Sequence, residues 1–480
     1  MGPHGIVVLK NPRGTPQRAK GKPAGKVAHF SAPLAGLSRF ADVNETNPTL
    51  ASILTNWVVE DDLAGASLST GYGSDKWSWT SFSNLASVDY TVMVNGVDGV
   101  RSWDGTTFAT EAVTAPAGEA WVLPAKFDKI LSHMNRLWFA DSDNLDVYYL
   151  PVQQKSGALL LLPLNAIFKR GGYIRAIYTW SIDGGAGMDD ALVIFTSNGE
   201  CAIYSGVDPA SDFKLVGLFR FDSPMSKDSI ISFGGDLYIM ISSGFVPLTT
   251  LIRAETEQLG KSDLNVMKEF EDVSKTQRDS YGWQVILNHQ TNHAICNMPT
   301  SNGKYQQMVR KMPGQIWSKW NDVPARCWGW LNNHTYFGSD LGGIYLGGTE
   351  YLNDDGAAIN ADVRFAWSGF RTVQKKNFTL AKLYTITDGL PRPFIDMEVD
   401  YSSQPPTNQP DTTTGPSGGS DWNTAPWDTS SWTLGAVPRQ NWQGITGLGR
   451  VGALRVRISI SGCTFSITGA DVIYEPGGLM

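Results

Sequence analysis

Two histidines, His289 and His293, stand four residues apart in "HQTNH". On a helix that spacing would set both imidazoles on one face, where a metal could be held. Here the pair flanks a turn between two strand-like runs, 283–288 and 294–298, with no third ligand close in sequence. The two are read as hairpin residues. A second cluster, "DGGAGMDD" at 183–190, brings three carboxylates together with three glycines. Carboxylate oxygens suit calcium, but the spacing is not that of an EF-hand. No Gly-Lys-Ser/Thr follows to make a phosphate loop. The cluster reads as an acidic turn ahead of the strand 191–196. The acids Asp61/Asp62 and Asp354/Asp355 are adjacent pairs, and neighbours on a strand point to opposite faces. No HExxH occurs. Glycosidase carboxylates need no fixed spacing, so polysaccharide hydrolysis stands as a third-ranked function. The sequence predicts no enzyme, no metal and no cofactor.

The other residues able to do recognition chemistry are tryptophans. Trp422, Trp427 and Trp432 recur every five residues in "GGSDWNTAPWDTSSWTLGAVPRQNW", and Trp442 follows ten later. Exposed indole faces stack on sugars. Yet five-residue steps alternate faces on a strand and turn by about 140° on a helix, so no single platform forms. Burying one indole stabilises by roughly 2–3 kcal/mol, enough to order a few loop residues. The four rings are therefore read as structural anchors of a polar loop, with Asp421 and Asp428 capping local turns.

Charge is uneven. The net charge is −7, but residues 1–41 hold Lys10, Arg13, Arg18, Lys20, Lys22, Lys26 and Arg39 and no acid, leaving about −14 on the rest. The basic start is read as a flexible arm, with Lys10, Arg13, Arg18, Lys20, Lys22 and Lys26 available to a partner. The acidic remainder argues against an extensive DNA-gripping surface. Cys201, Cys296, Cys327 and Cys463 lie far apart without CxxC, which predicts buried thiols in a reducing compartment. The densest apolar run, "ALLLLPL" at 158–164, is too short to span a membrane. It reads as a buried strand of a soluble protein made in the cytoplasm.

The elements that must position these residues are mostly strands. Fifty glycines and 17 tryptophans suit an all-β chain. Hairpins are expected in "YTVMVNGVDGVRSWDG", "MNRLWFADSDNLDVYYLPV", "DALVIFTSNGECAIYSG" with Asn198-Gly199 at the turn, and "GGDLYIMISSGFVPL" turning at Ser243-Gly244. Their spacing is on the scale of propeller blades; a tandem sandwich is the competing architecture. Leu50, Ile53, Leu54 and Trp57 have helical spacing, and "SDLNVMKEFEDVSKTQRD" at 262–279 predicts an inserted helix on an outer or end face. The expected organisation is a basic arm at 1–41, a β-propeller-like domain at 42–350, and a C-terminal β region at 351–480. The last contains a low-complexity loop at 404–420 and the Trp-repeat loop at 421–442.

Taken in order, "LTNWVVEDDLAGASLSTGYG", "MNRLWFADSDNLDVYYLPV", "FKRGGYIRAIYTWSIDGGAGMDDALVIFTSNGECAIYSGVDP", "KLVGLFRFDSPMSKDSIISFGGDLYIMISSGFVPL" and the downstream WD-x-x-x-W series carry a resemblance. Over residues 45–480 the chain resembles the tail nozzle (tail-hub, or packaged-DNA stabilisation) proteins of short-tailed bacteriophages. The resemblance implies a propeller-based subunit of a ring, typically a hexamer, beneath the portal and adaptor rings. The lumen of such a ring retains the genome and later conducts it without specific binding. Tail fibres or spikes dock on its surface, and no catalytic residues are implied. The expected location is the virion tail, after assembly in the host cytoplasm. The alternative function is a carbohydrate-binding propeller for host-surface recognition.

Overall fold

The computed structural model describes residues 72–477 except 75, 105–106, 184–187, 254–263, 302, 315, 321–322, 332–333, 340–343, 348–356, 403–411 and 415–435. It also describes the strand segments 7–8, 17–18, 56–58 and 67–70. Among the described residues, successive antiparallel sheets follow the chain. They are 78–110, 129–162 and 174–220, each of four strands, then 230–247, 284–320 and 325–347. We call these blades 1 to 6. Their first strands meet: Ser78–Ser83 touches Lys129–His133, which touches Ile174–Asp183. Likewise Ile230–Phe233 touches Gln284–Asn288, which touches Ala325–Leu331.

Period-two alternation makes each blade a two-faced slab. In Arg136–Ala140, Leu137 and Phe139 enter the core shared with blade 1, while Trp138 and Ala140 enter the core shared with blade 3. In Met188–Thr196, Leu192 and Ile194 face blade 2, and Ala191, Val193 and Phe195 face blade 4. Blade 5 repeats the rule: Ala294, Cys296 and Met298 pack toward blade 4, and Ile295 toward blade 6. Strands buried on both faces between consecutive sheets make this an all-β, propeller-like fold. All four cysteines are free and buried.

The turns follow their sequence chemistry. Gly199 sits at φ +77°, and a Cβ there would come within 2.5 Å of Phe221 O, so the Asn198-Gly199 hairpin requires glycine. The next hairpin differs from expectation. Ile241 pairs with Gly244, so its two-residue turn is Ser242-Ser243 and Gly244 opens the returning strand. The helical spacing through Trp57 also fails. Asn56–Val58 is a strand paired with Ser67–Thr70; pairing and the β preference of Trp and Val override the spacing. Residues 47–55 lie outside the described residues.

The inserted helix is Leu264–Gln277. Its outward side, at Lys268 and Asp272, is exposed. Val266 and Phe270 are buried in the core between blades 4 and 5, with Phe270 edge-on to Trp317 at 5.8 Å. Its polar side carries Glu269, whose carboxylate pairs with Lys319 at 2.8 Å.

After blade 6 the chain forms a sandwich. One sheet is Ile359–Arg364, Gly452–Ser461 and Phe394–Val399, with Thr412–Thr414 beside it; the other is Val437–Gly449, Lys376–Thr387 and Phe465–Pro476. Phe378, Ala381 and Leu383 of the second sheet meet Met397, Leu454 and Val456 of the first. The sheets approach so closely at Gly452 that a Cβ would stand 2.8 Å from Phe378.

Candidate functional site

Blades 1 to 5 converge on a polar pocket of about 380 Å³, built from residues just before or within the first strand of each blade and from their turns. Two of its cations hold blades together, and others pair locally. Lys227, from blade 4, donates to Lys76 O at 3.2 Å and Asp128 O at 2.8 Å, reaching blades 1 and 2. Arg175, from blade 3, donates to Pro224 O at 3.3 Å, to Met225 O, and to Arg278 O at 3.4 Å, reaching blades 4 and 5. Lys129 contacts Asp128 at 2.5 Å and Ser142 at 2.8 Å; Lys126 pairs with Asp143; Arg278 pairs with Asp222 at 3.3 Å.

The electrostatics are those of tightly paired charges. Burial pushes the Asp128 carboxyl up, but the ammoniums of Lys129 and Lys227 outweigh it and hold the group below the usual carboxylate range. Burial pulls Lys129 down against the opposing pull of Asp128. No histidine or cysteine lines the pocket. Its serines are engaged: Ser142 donates to Asp128 at 2.7 Å and Ser226 to Trp283 O at 2.6 Å. No nucleophile–base pair is formed here.

A buried histidine lies further along the same first strands. His133 Nδ1 is 3.0 Å from Thr179 Oγ1, and Nε2 has no hydrogen-bond partner. Burial drags its pKa to about 4 despite the opposing charge of Asp190. The imidazole is therefore neutral near pH 7.

The sequence-singled residues separate. His289 stands in the turn after Gln284–Asn288, edge-on to Trp330 at 5.3 Å, and His293 opens the next strand. Among the described residues no three metal-capable side chains gather. Asp183 and Asp190 lie on paired strands flanking the 184–187 connection. Trp422, Trp427 and Trp432 fall outside the described residues, as do Lys10, Arg13, Lys20, Lys22 and Lys26. Arg18 lies in Gln17–Arg18, which pairs with blade 6 at Tyr345–Leu346.

Trp442 corrects the anchor reading. It is on the strand Val437–Gly449, not in a loop, and is 45% exposed. Its cross-strand neighbour is Lys382, whose ammonium lies 5.0 Å from the indole centroid. Strand pairing orders this segment, so no buried ring is needed to pin it. Trp442 belongs to an outward face that sequence reasoning missed. Register places Leu380, Lys382, Tyr384 and Ile386 on that face, with Leu448 on one neighbouring strand and Ile473 and Asp471 on the other. Five of its apolar side chains (Leu380, Ile386, Trp442, Leu448, Ile473) are exposed. Tyr384 donates to Asp471 at 2.6 Å, and Lys382 stands 3.6 Å from the same carboxylate. The sequence signal was present: "KNFTLAKLYTIT" carries apolar residues on both faces.

Among the described residues no helix is long and apolar enough to cross a membrane. No family model matches the chain, and no curated protein does. Solved structures with partial similarity include a Bacteroides uniformis protein proposed to be a 6-phosphogluconolactonase. It is 11% identical, with TM-score 0.35, over 62% of this chain and 84% of that one. YCF48 bound to D1 peptide is 10% identical, with TM-score 0.29, over 63% and 98%. BBS1N in complex with ARL6DN is 10% identical, with TM-score 0.31, over 57% and 93%. Likenesses this distant carry no argument about activity.

Proposed function

We propose that this chain is a non-enzymatic structural subunit of a short-tailed phage tail nozzle. It would assemble into a homo-oligomeric ring, typically a hexamer, that retains the packaged genome and conducts it during ejection. The observation that carries the reading, beside the sequence resemblance, is the outward face of the C-terminal sandwich. A monomer seldom leaves such a patch in water. The sheet's two outer strands, Val437–Gly449 and Phe465–Pro476, have no second partner strand among the described residues. Closed rings are built from such heterologous contacts.

Two further features support it. The clasps of Lys227 and Arg175 cross the pocket where the blades converge. The DNA path would then run along the ring axis, between subunits. The acidic body suits a conduit, since each phosphate contact would add binding that slows passage. An adaptor ring and tail fibres or spikes are the expected neighbours, with the basic arm reaching the adaptor. Negative-stain imaging of the purified protein and of tails tests the reading. Rings that match a layer of the tail are expected; monomers in solution and no such ring in particles would overturn it. Deleting residues 1–28 should lower incorporation into tails; unchanged tails would sink the arm's part in the reading.

A further inference from the structure

The ring reading leaves one end of the C-terminal sandwich without a role. Ile359–Arg364, Phe394–Val399, Val437–Gly449 and Phe465–Pro476 finish there, and Lys376–Thr387 and Gly452–Ser461 start there. The connection 365–375 and the turns at 400–402 and 450–451 therefore share this end. Lys376 is fully buried and ties two of them: its ammonium donates to Thr372 O at 2.8 Å, Gln374 O at 2.9 Å and Arg450 O at 2.7 Å. The Asp400 carboxylate ties in the third, accepting from Arg450 N at 2.7 Å and Val451 N at 3.1 Å. This braced base presents apolar tips and cations together. Val373 is 83% exposed and Tyr401 69%. Tyr401 lies against Trp367, ring centroids 4.9 Å apart. It stands at φ +61°, a conformation that costs a bulky residue, so neither the turn nor the core accounts for the ring. Arg371, Lys375 and Arg450 are exposed, and none of the three is in an ion pair. The exposed acids here are Asp400, which already holds two N–H groups, and Glu475. Glu398 is buried against Arg455 at 2.8 Å and Arg364 at 3.4 Å.

We propose that this end of the sandwich docks on an anionic lipid bilayer. Peripheral attachment scales with the apolar area buried at the headgroup boundary plus attraction to anionic lipids, and both terms are present here. Tyr and Trp rings, apolar with one polar handle, suit the headgroup level. Val373 at a loop tip supplies apolar surface to go deeper. Arg371, Lys375 and Arg450 surround these tips and complement lipid phosphates, each cation near an anionic surface contributing about a fivefold gain in partitioning. A nucleic-acid duplex would engage the cations and leave Val373 in water. Single strands are held in grooves lined by aromatic rings, whereas these side chains stand on loops at a strand end. The arrangement is local: the chain as a whole is acidic, with net charge −7. The proposal does not rest on the nozzle reading.

Vesicle cosedimentation of the full chain tests the proposal. The probes are phosphatidylcholine vesicles with and without about 30% phosphatidylglycerol, at low and high salt. Pelleting is expected with the anionic vesicles, and about tenfold or more less of it with the neutral ones or at high salt. The double variant R371Q/K375Q removes two exposed cations and should partition about tenfold or more weaker. Tyr401→Asn removes the ring at a position whose backbone suits Asn, and should partition about threefold or more weaker. Both variants should melt as the parent does, since the changed side chains are exposed. Lys304→Gln, an exposed cation on blade 5, should pellet as the parent does. No pelleting with anionic vesicles would overturn the proposal, as would equal pelleting with neutral ones. So would unchanged partitioning in R371Q/K375Q or in Tyr401→Asn, or an equal loss in Lys304→Gln. Capture of an oligothymidylate without any vesicle pelleting would give this end to single-stranded nucleic acid instead. The readout needs no ring, so failure here leaves the ring reading standing, and absent rings leave this surface standing.

Discussion

His133 shows how one side chain can set a pH response without doing catalysis. Its folded pKa, about 4, lies below the ordinary value of 6.5 because burial disfavours the cation. Between those values the unfolded chain binds the extra proton, so stability is complete above pH 6.5 and falls as pH drops toward 4. The shift corresponds to a loss of about 3 kcal/mol across that window. Urea melts of the parent and of His133→Gln at pH 7 and pH 4.5 should show a smaller loss in the variant. Equal losses would mean that another group sets the acid limb. Lys227 makes a different residue-scale argument. Its ammonium serves two backbone carbonyls on two other blades, Lys76 O and Asp128 O. Lys227→Met leaves both without their donor, and hydrogen bonds to charged groups contribute about 1.5–3 kcal/mol. A drop of about 2 kcal/mol in unfolding free energy, by chemical denaturation, is expected. Neither role was legible in the sequence, where His133 and Lys227 sit in no motif. Their meaning comes from carbonyls and hydroxyls tens of residues away.

At the scale of elements the sequence spoke more clearly, because a blade's local rules and its packing agree. Alternating runs such as "RLWFA" and "ALVIF" became two-faced strands, and Asn198-Gly199 became the expected hairpin turn. Helix 264–277 was legible as a helix but not as a seam filler. Its sequence shows one apolar edge, and only the fold reveals that Phe270 plugs the core between blades 4 and 5. Phe270→Ala should therefore cost about 3–5 kcal/mol, the range for large buried aromatics. Lys268→Ala, on the exposed side of the same helix, should stay within about 0.5 kcal/mol of the parent. Equal, small effects in denaturation experiments would show that the helix merely rests on the surface. Trp442 marks where element-level reading failed. The Trp-repeat loop was expected to run through Trp442, yet Val437–Gly449 is held by eleven paired positions on Lys376–Thr387. Backbone pairing, invisible to side-chain spacing, decided the outcome.

For the whole molecule, the decisive quantity is what the outward sandwich face does in water. Trp442, Leu448 and Ile473 are exposed at 45%, 63% and 44%, and each faces the same way through its pairing with Lys382, Asn377 or Leu380. No described residue buries them, and association would remove this area from water at roughly 25 cal/mol per Å². A double change, Leu448→Lys with Ile473→Lys, puts two ammoniums into that patch. Exposed substitutions of this kind shift stability little, so the melting temperature should stay near that of the parent. Assembly should not survive, because two unpaired cations would be desolvated at every contact around a ring. Mass photometry over a concentration series should then show oligomers for the parent and monomers for the double variant. If the variant assembles as the parent does, this face is not the contact, and the search moves to the strand edges beside it. If the parent itself stays monomeric at every concentration and in tails, a closed ring is the wrong assembly for this chain.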